Sequence, residues 1–146
     1  MIIETRFPVR YAETDQMGVV HHSVYPVWFE CGRTDFIKHF GISYDQLEKL
    51  GLMLPLTRLS CEYKTPIRYG ETVLVKTQFL KGTKVRLIIG YEIYAEERNV
   101  LCGKGFTEHA WTNTSLRPVN IAKYKPELYE KLFPMYNSAT GDNYKL

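Results

Sequence analysis

Residues 11 to 22 read YAETDQMGVVHH, which gathers two carboxylates, a glycine and two adjacent histidines between a strand-like and a helix-like segment. More than one chemistry is open to them. A helix beginning near Ser23 leaves first-turn N–H groups unpaired and carries partial positive charge there, enough to polarise a carbonyl or hold an oxyanion. Gly18 lets the chain bend sharply and lets a ligand approach the backbone. Asp15 stands just upstream, and a carboxylate opposite an oxyanion site suffices for acyl transfer to water, as nucleophile or as general base. The same aspartate serves equally well to close a turn by accepting local N–H groups. Residue types alone leave both readings open.

Other chemistries are less well supplied. His21 and His22, with His109 in FTEHAW, offer three imidazoles, yet there is no HExxH pattern and no pair at helical ligand spacing, so no metal site is expected. No GxSxG occurs, no cysteine has a catalytic motif around it, and the glycines of CGKGF sit inside a strand pattern rather than before a helix. Neither a serine or cysteine nucleophile nor a phosphate loop is therefore indicated.

The elements that must hold the loop are legible on either side. IIETRFPVRYA is rich in strand formers, with Pro8 marking an edge or a bend. SVYPVWFECGRTDFIKHFG reads as a helix, with Ser23 as its cap, Pro26 in the tolerant first turn and Gly41 at its end. Val24, Val27, Trp28, Cys31 and Asp35 follow one stripe of it, and Phe29, Arg33, Phe36, Ile37 and Phe40 another. Its apolar surface thus exceeds the single face of a surface helix, and something is expected to wrap it. A short helix over Tyr44 to Leu50 follows, then two strands divided near IRYGE with Gly70 at the turn, then two more joined by EERN. In the first of this last pair, Val85, Leu87, Ile89, Tyr91 and Ile93 alternate at the period of a half-buried antiparallel strand. The opposite face, with Ile88, Gly90 and Tyr94, is apolar enough to meet a second subunit. KPELYEKLF predicts a terminal helix. The architecture expected is α+β: an antiparallel sheet of about five or six strands around one long helix, a single domain over 1–134, and a polar, frayed tail over 135–146.

Length and charge agree with this. A chain of 146 residues suits one domain and buries roughly 70% of the surface its unfolded form exposes. The net charge of +3 is spread over interleaved acids and bases, without the basic cluster that follows a nucleic acid backbone. No apolar run approaches the roughly 20 residues that cross a bilayer, so no membrane partner is expected. Cys31, Cys61 and Cys102 are odd in number and widely spaced, with no secretory leader before them, which reads as reduced thiols in a cytoplasmic protein.

Taken in order, these features resemble the 4-hydroxybenzoyl-CoA thioesterase branch of the hotdog-fold acyl-CoA thioesterases. A strand there leads to a D-x-x-G-[VI]-V motif and then to the central helix, matched here by Tyr11, Asp15, Gly18, Val19, Val20, His22 and Tyr25. A second segment, Y-x-x-P-x-x-Y-G-[DE], is matched by Tyr63, Pro66, Tyr69, Gly70 and Glu71. The resemblance spans roughly residues 5 to 120 and implies a hydrolase that cleaves an acyl-CoA thioester without a cofactor. It makes Asp15 the catalytic carboxylate and makes the N–H of His22, at the start of the central helix, the group that polarises the carbonyl. Gly18, Val19, Ser23 and Tyr25 fall beside the substrate. Where the family often has an aspartate two residues before the catalytic one, this chain has Glu13, expected to point outward. Another hotdog branch carries its carboxylate on the central helix, which makes Glu30 the rival base. Lys64, Arg68, Lys81, Lys84 and Arg86 are the cations available to CoA phosphates. The resemblance further implies a homodimer or homotetramer with sites at the subunit boundary. Hydrolysis of acyl carrier protein thioesters and non-catalytic acyl binding are the alternatives.

Overall fold

Five strands pair in the order β1-β3-β4-β5-β2, every neighbour antiparallel. They are β1 (Ile2–Pro8), β2 (Leu56–Tyr63), β3 (Thr72–Gly82), β4 (Arg86–Ala95) and β5 (Val100–Ala110) in a computed structural model that describes residues 1–140. Between β1 and β2 the chain forms α1 (Tyr25–His39) and α2 (Tyr44–Lys49), and after β5 come the short helices α3 (Ile121–Tyr124), α4 (Pro126–Lys131) and α5 (Phe133–Asn137). The four later strands, the helix after the opening loop and the Gly70 turn (φ +89°) lie where the residue pattern puts them. Val85 does not belong to its expected strand: it precedes β4 and is 39% exposed.

Helix α1 lies on the sheet through Tyr25, Trp28, Phe29, Gly32, Phe36 and Ile37, all buried. Three glycines allow so close a contact. A methyl group on Gly32 would strike Thr77 and Val75 of β3, and one on Gly103 or Gly105 of β5 would come within 2.8 Å of the Tyr25 ring or 2.9 Å of the Phe29 ring. The wrapping is one-sided within a single chain, since Val27, Glu30 and Cys31 on the opposite face of α1 stay exposed. β2, at the sheet edge beside β5, is mostly exposed as well.

Two expectations about helix ends need correction. Ser23 is not the cap of α1. Residues His22–Val24 form a 3-10 turn ahead of the helix, and its cap is His21, whose Nδ1 accepts from the Ser23 N–H at 3.1 Å. An imidazole with a free lone pair serves that orphan donor as a hydroxyl would. The tail boundary at 134 is also too early. Met135 is buried, and the Tyr136 hydroxyl accepts from the Trp111 indole at 3.1 Å and donates to the Thr83 carbonyl at 2.9 Å, so α5 is stitched to the core. The part of that expectation over 141–146 lies outside the described residues.

Candidate active site

The stretch between β1 and α1 is a small hairpin closed by backbone hydrogen bonds at three levels. Asp15 N–H donates to the Val19 carbonyl at 2.8 Å, Thr14 bridges Val20, and His21 N–H donates to the Glu13 carbonyl at 2.8 Å. At its tip Gly18 N–H donates to the Asp15 carbonyl at 3.0 Å, and Gly18 takes φ +76°, a conformation natural to glycine. Half-buried Asp15 does close this turn: its Oδ1 accepts from the Met17 N–H at 2.8 Å. Its Oδ2 has no hydrogen bond to another described residue, so the turn-closing role occupies only half of the carboxylate.

Glu13 is not outward-pointing. It is 6% exposed and accepts from the Trp28 indole N–H at 3.0 Å and from the Arg10 backbone N–H at 2.7 Å, with the Arg10 guanidinium 3.4 Å away. The reason lies in α1: Trp28 faces the core, and its buried N–H needs an acceptor. Glu13 supplies it and thereby ties the loop to the helix that follows.

A second tie comes from the segment before β3. Val20 N–H donates to the Ile67 carbonyl at 2.8 Å, and Val19 bridges Arg68. That segment is itself held by Glu71, which accepts from the Arg68 N–H at 2.8 Å and from Nε and Nη2 of Arg98. Burial pushes the Glu71 carboxyl up, but the bonds from Arg98 and Arg68 outweigh it and hold the group below its ordinary range.

The helix start is aromatic. The exposed His22 ring lies 4.1 Å from that of His21 and edge-on to Tyr63, whose hydroxyl donates to the His22 carbonyl at 2.8 Å. Tyr25 is buried between Trp28 (5.2 Å) and Tyr63 (4.9 Å), and burial raises its hydroxyl pKa well beyond the ordinary value. Ser23 is exposed and bonded to His21 Nδ1 at 2.7 Å. No acceptor is bonded to the His22 N–H among the described residues. Asp15, Gly18 and Val19 thus form the hairpin tip, while His22 and Tyr25 pack on Tyr63 and Ser23 is bonded to His21. The role of Tyr63 in fixing the helix start was not readable beforehand, although its place in the second motif was.

Glu30 stands apart, exposed on α1 and lining a cavity of about 300 Å3 with Pro26, Val27, Arg33, Leu56, Leu59 and Thr107. Behind it runs a polar chain that sequence reasoning missed. Arg33 donates to the hydroxyls of Tyr44 (2.8 Å) and Tyr91 (3.2 Å), Tyr91 bonds Thr107 Oγ1 (2.7 Å), and His109 bridges Thr107 (2.9 Å) and the Leu54 carbonyl (3.1 Å). Burial, with the Arg33 charge adding to it, lowers the His109 pKa to about 4, so both ring nitrogens are committed in a neutral imidazole. Of the cations considered for CoA phosphates, Arg68 bridges Val19 of the loop and Lys64 pairs with Glu62. Lys81, Lys84 and Arg86 lie at the other end of β3, roughly 30 Å away at the rise of a strand.

Residues 9–132 match the profile of the thioesterase-like superfamily. The chain belongs to that family. This thioesterase-like chain is 38% identical over 131 residues to a Bacillus subtilis protein named putative acyl-CoA thioesterase YneP, across 90% of this chain and 89% of that one. A crystal structure of a DHNA-CoA thioesterase from Staphylococcus aureus superposes with a TM-score of 0.84 at 38% identity, covering 89% of this chain and 87% of the other. An Arabidopsis thaliana protein named acyl-acyl carrier protein thioesterase ATL3 is 29% identical over 120 residues, 81% of this chain and 62% of that protein. The sheet laid on α1 is accordingly the hotdog fold. No helix among the described residues is long and apolar enough to cross a membrane.

Proposed function

We propose that the chain is an acyl-CoA thioesterase that splits an acyl-CoA into free acid and CoA, with Asp15 as its catalytic carboxylate and the His22 N–H as its carbonyl donor. The thioester carbonyl lies between the two. Asp15 takes a proton from water, the water oxygen bonds to the carbonyl carbon, and the N–H at the helix start holds the charge that develops on the carbonyl oxygen. Breaking the C–S bond releases a thiolate, which recovers the proton from Asp15. Thiolate is a good leaving group, so one carboxylate and one oxyanion donor suffice without a cofactor. Direct attack by Asp15, forming an anhydride that water opens, uses the same groups; a single turnover in 18O-water labels Asp15 only by that route.

The observation that carries this reading is the half-used carboxylate: Met17 anchors one oxygen, the other is unbonded among the described residues, and the hairpin that bears it leads directly into the helix start. The naming of the 38%-identical relative as a putative acyl-CoA thioesterase supports it. Gly18 and Val19 border the substrate on the hairpin side and Ser23 and Tyr25 on the helix side. The acyl group runs along the exposed face of α1 toward the cavity at Val27 and Glu30. Leu56, Leu59 and Tyr63 are exposed on the edge strand β2 next to that face, so we assign this surface to a homodimer, the unit from which a tetramer would be built. A cytoplasmic setting agrees with three unpaired thiols.

The test is thiol release from aromatic, short-chain and long-chain acyl-CoAs, with an acyl carrier protein thioester alongside. Asp15→Asn abolishes turnover while folding and assembly persist, and Glu30→Gln retains it. Full activity in the first variant and loss in the second would make Glu30 the base. Exclusive turnover of the carrier-protein thioester would favour the activity after which the Arabidopsis relative is named.

A further inference from the structure

Beyond the C-terminus of α1 lies an open groove of about 710 Å3 between α2 and the α3–α4 pair. With 15 residues in α1, the groove begins roughly 22 Å from the helix start at 1.5 Å per residue. It is therefore separate from the Asp15 hairpin. Ile42 and Leu128, 4% and 7% exposed, form its floor, and Leu50 and Tyr124, 42% and 41% exposed, form its walls.

The rim is cationic. Lys49, Lys125 and Lys131 line the groove against a single acid, Glu127. Lys131 Nζ donates to the Gly41 carbonyl at 3.0 Å, and Lys125 Nζ stands 5.1 Å from the centre of the Tyr124 ring, so two of the three ammonium groups are held in place. None of the three takes part in an ion pair among the described residues, whereas Arg6, Arg10, Lys64, Arg86 and Arg98 all do. Apolar walls with unpaired cations above them complement one class of molecule, an apolar tail ending in an anion. The volume is that of ordinary small-molecule sites.

We propose that this groove binds an aliphatic monocarboxylate, its tail against Ile42, Leu50, Tyr124 and Leu128 and its head among Lys49, Lys125 and Lys131. A carboxylic acid is also what thioester hydrolysis releases; that link rests on the function proposed above, but the chemistry of the groove does not. Dodecanoate added to the full-length 15N-labelled protein shifts the amides of Ile42, Gln46, Leu50, Tyr124 and Leu128 saturably, and dodecylamine does not. Lys49→Glu combined with Lys125→Glu weakens dodecanoate by about tenfold, Leu50→Ser weakens it without touching a charge, and hydrolysis of acyl-CoA is unchanged in both. The proposal is overturned if these amides do not shift up to about 1 mM dodecanoate, as they would not if a second copy of the chain covered the groove. Equal binding of dodecylamine, or undiminished binding by the lysine variant, also overturns it. Because hydrolysis is measured on the same proteins, loss of the groove leaves the thioesterase reading standing, and an inactive wild type leaves the groove standing.

Discussion

Replacing Glu13 by alanine should damage both the stability and the turnover of this protein, although Glu13 touches no substrate in the proposed reaction. Its carboxylate accepts from the Trp28 indole and from the Arg10 backbone N–H. Hydrogen bonds to a charged group are worth about 1.5–3 kcal/mol each, and a buried donor left without a partner incurs its full desolvation cost. Of the two donors, the indole has no route to water, so the expected loss is about 3 kcal/mol, or roughly 10 °C in Tm for a domain of this size. Glu13→Gln keeps one acceptor oxygen and should lose about half as much. Urea unfolding at fixed protein concentration gives the stabilities. A double-mutant cycle with Trp28→Phe isolates the bond itself, with a coupling of about 1.5–3 kcal/mol expected. Because this carboxylate ties the hairpin to α1, kcat of the surviving folded protein should also fall, with KM changing less. A Glu13→Ala protein within about 0.5 kcal/mol of wild type, or a cycle with no coupling, would refute the view that Glu13 pins the loop.

Tyr63→Phe removes the hydroxyl that holds the His22 carbonyl; about 1 kcal/mol of stability should be lost, and kcat/KM should drop more than melting behaviour suggests, as steady-state kinetics beside calorimetry will show. His109, with its pKa lowered to about 4 by burial, refuses a proton that the unfolded chain accepts below its ordinary value of about 6.5. Stability should therefore fall by roughly 3 kcal/mol as pH drops from about 6.5 to 4, and denaturant titrations of His109→Gln should lack that part of the slope.

Much of the fold was legible because local pattern and tertiary demand coincide. Leu87, Ile89, Tyr91 and Ile93 alternate in sequence and are buried in β4, and Gly70 and Gly41 stop their elements with positive φ. The misreadings arise where a distant partner decides. Nothing local to Glu13 says that an indole 15 residues later needs an acceptor. Ser23 has the right chemistry for a cap, but a 3-10 turn intervenes: His21 caps that turn, and α1 begins after Val24 with no side-chain cap. Met135 and Tyr136 lie in a polar stretch, and partners distant in sequence, the Trp111 N–H, the Thr83 carbonyl and the Phe79 ring, hold the chain there. In the site, the type and order of Asp15, Gly18 and the helix start were visible, while the chain from Arg33 to His109 joins residues of α1, β4 and β5 that no short motif connects.

The strand order has a consequence for the time course of folding. β3, β4 and β5 follow one another directly and can zip as neighbouring hairpins, whereas Ile2 must find Gln78 and Leu56 must find His109 across long stretches of chain. Closing such loops costs entropy before contacts repay it, so the two border strands dock late. The Asp15 hairpin hangs between β1, one of these latecomers, and α1. A chain that folds in this order joins β3, β4 and β5 before β1 closes on them, so the hairpin that carries Asp15, the carboxylate proposed to act, is among the last parts to be fixed.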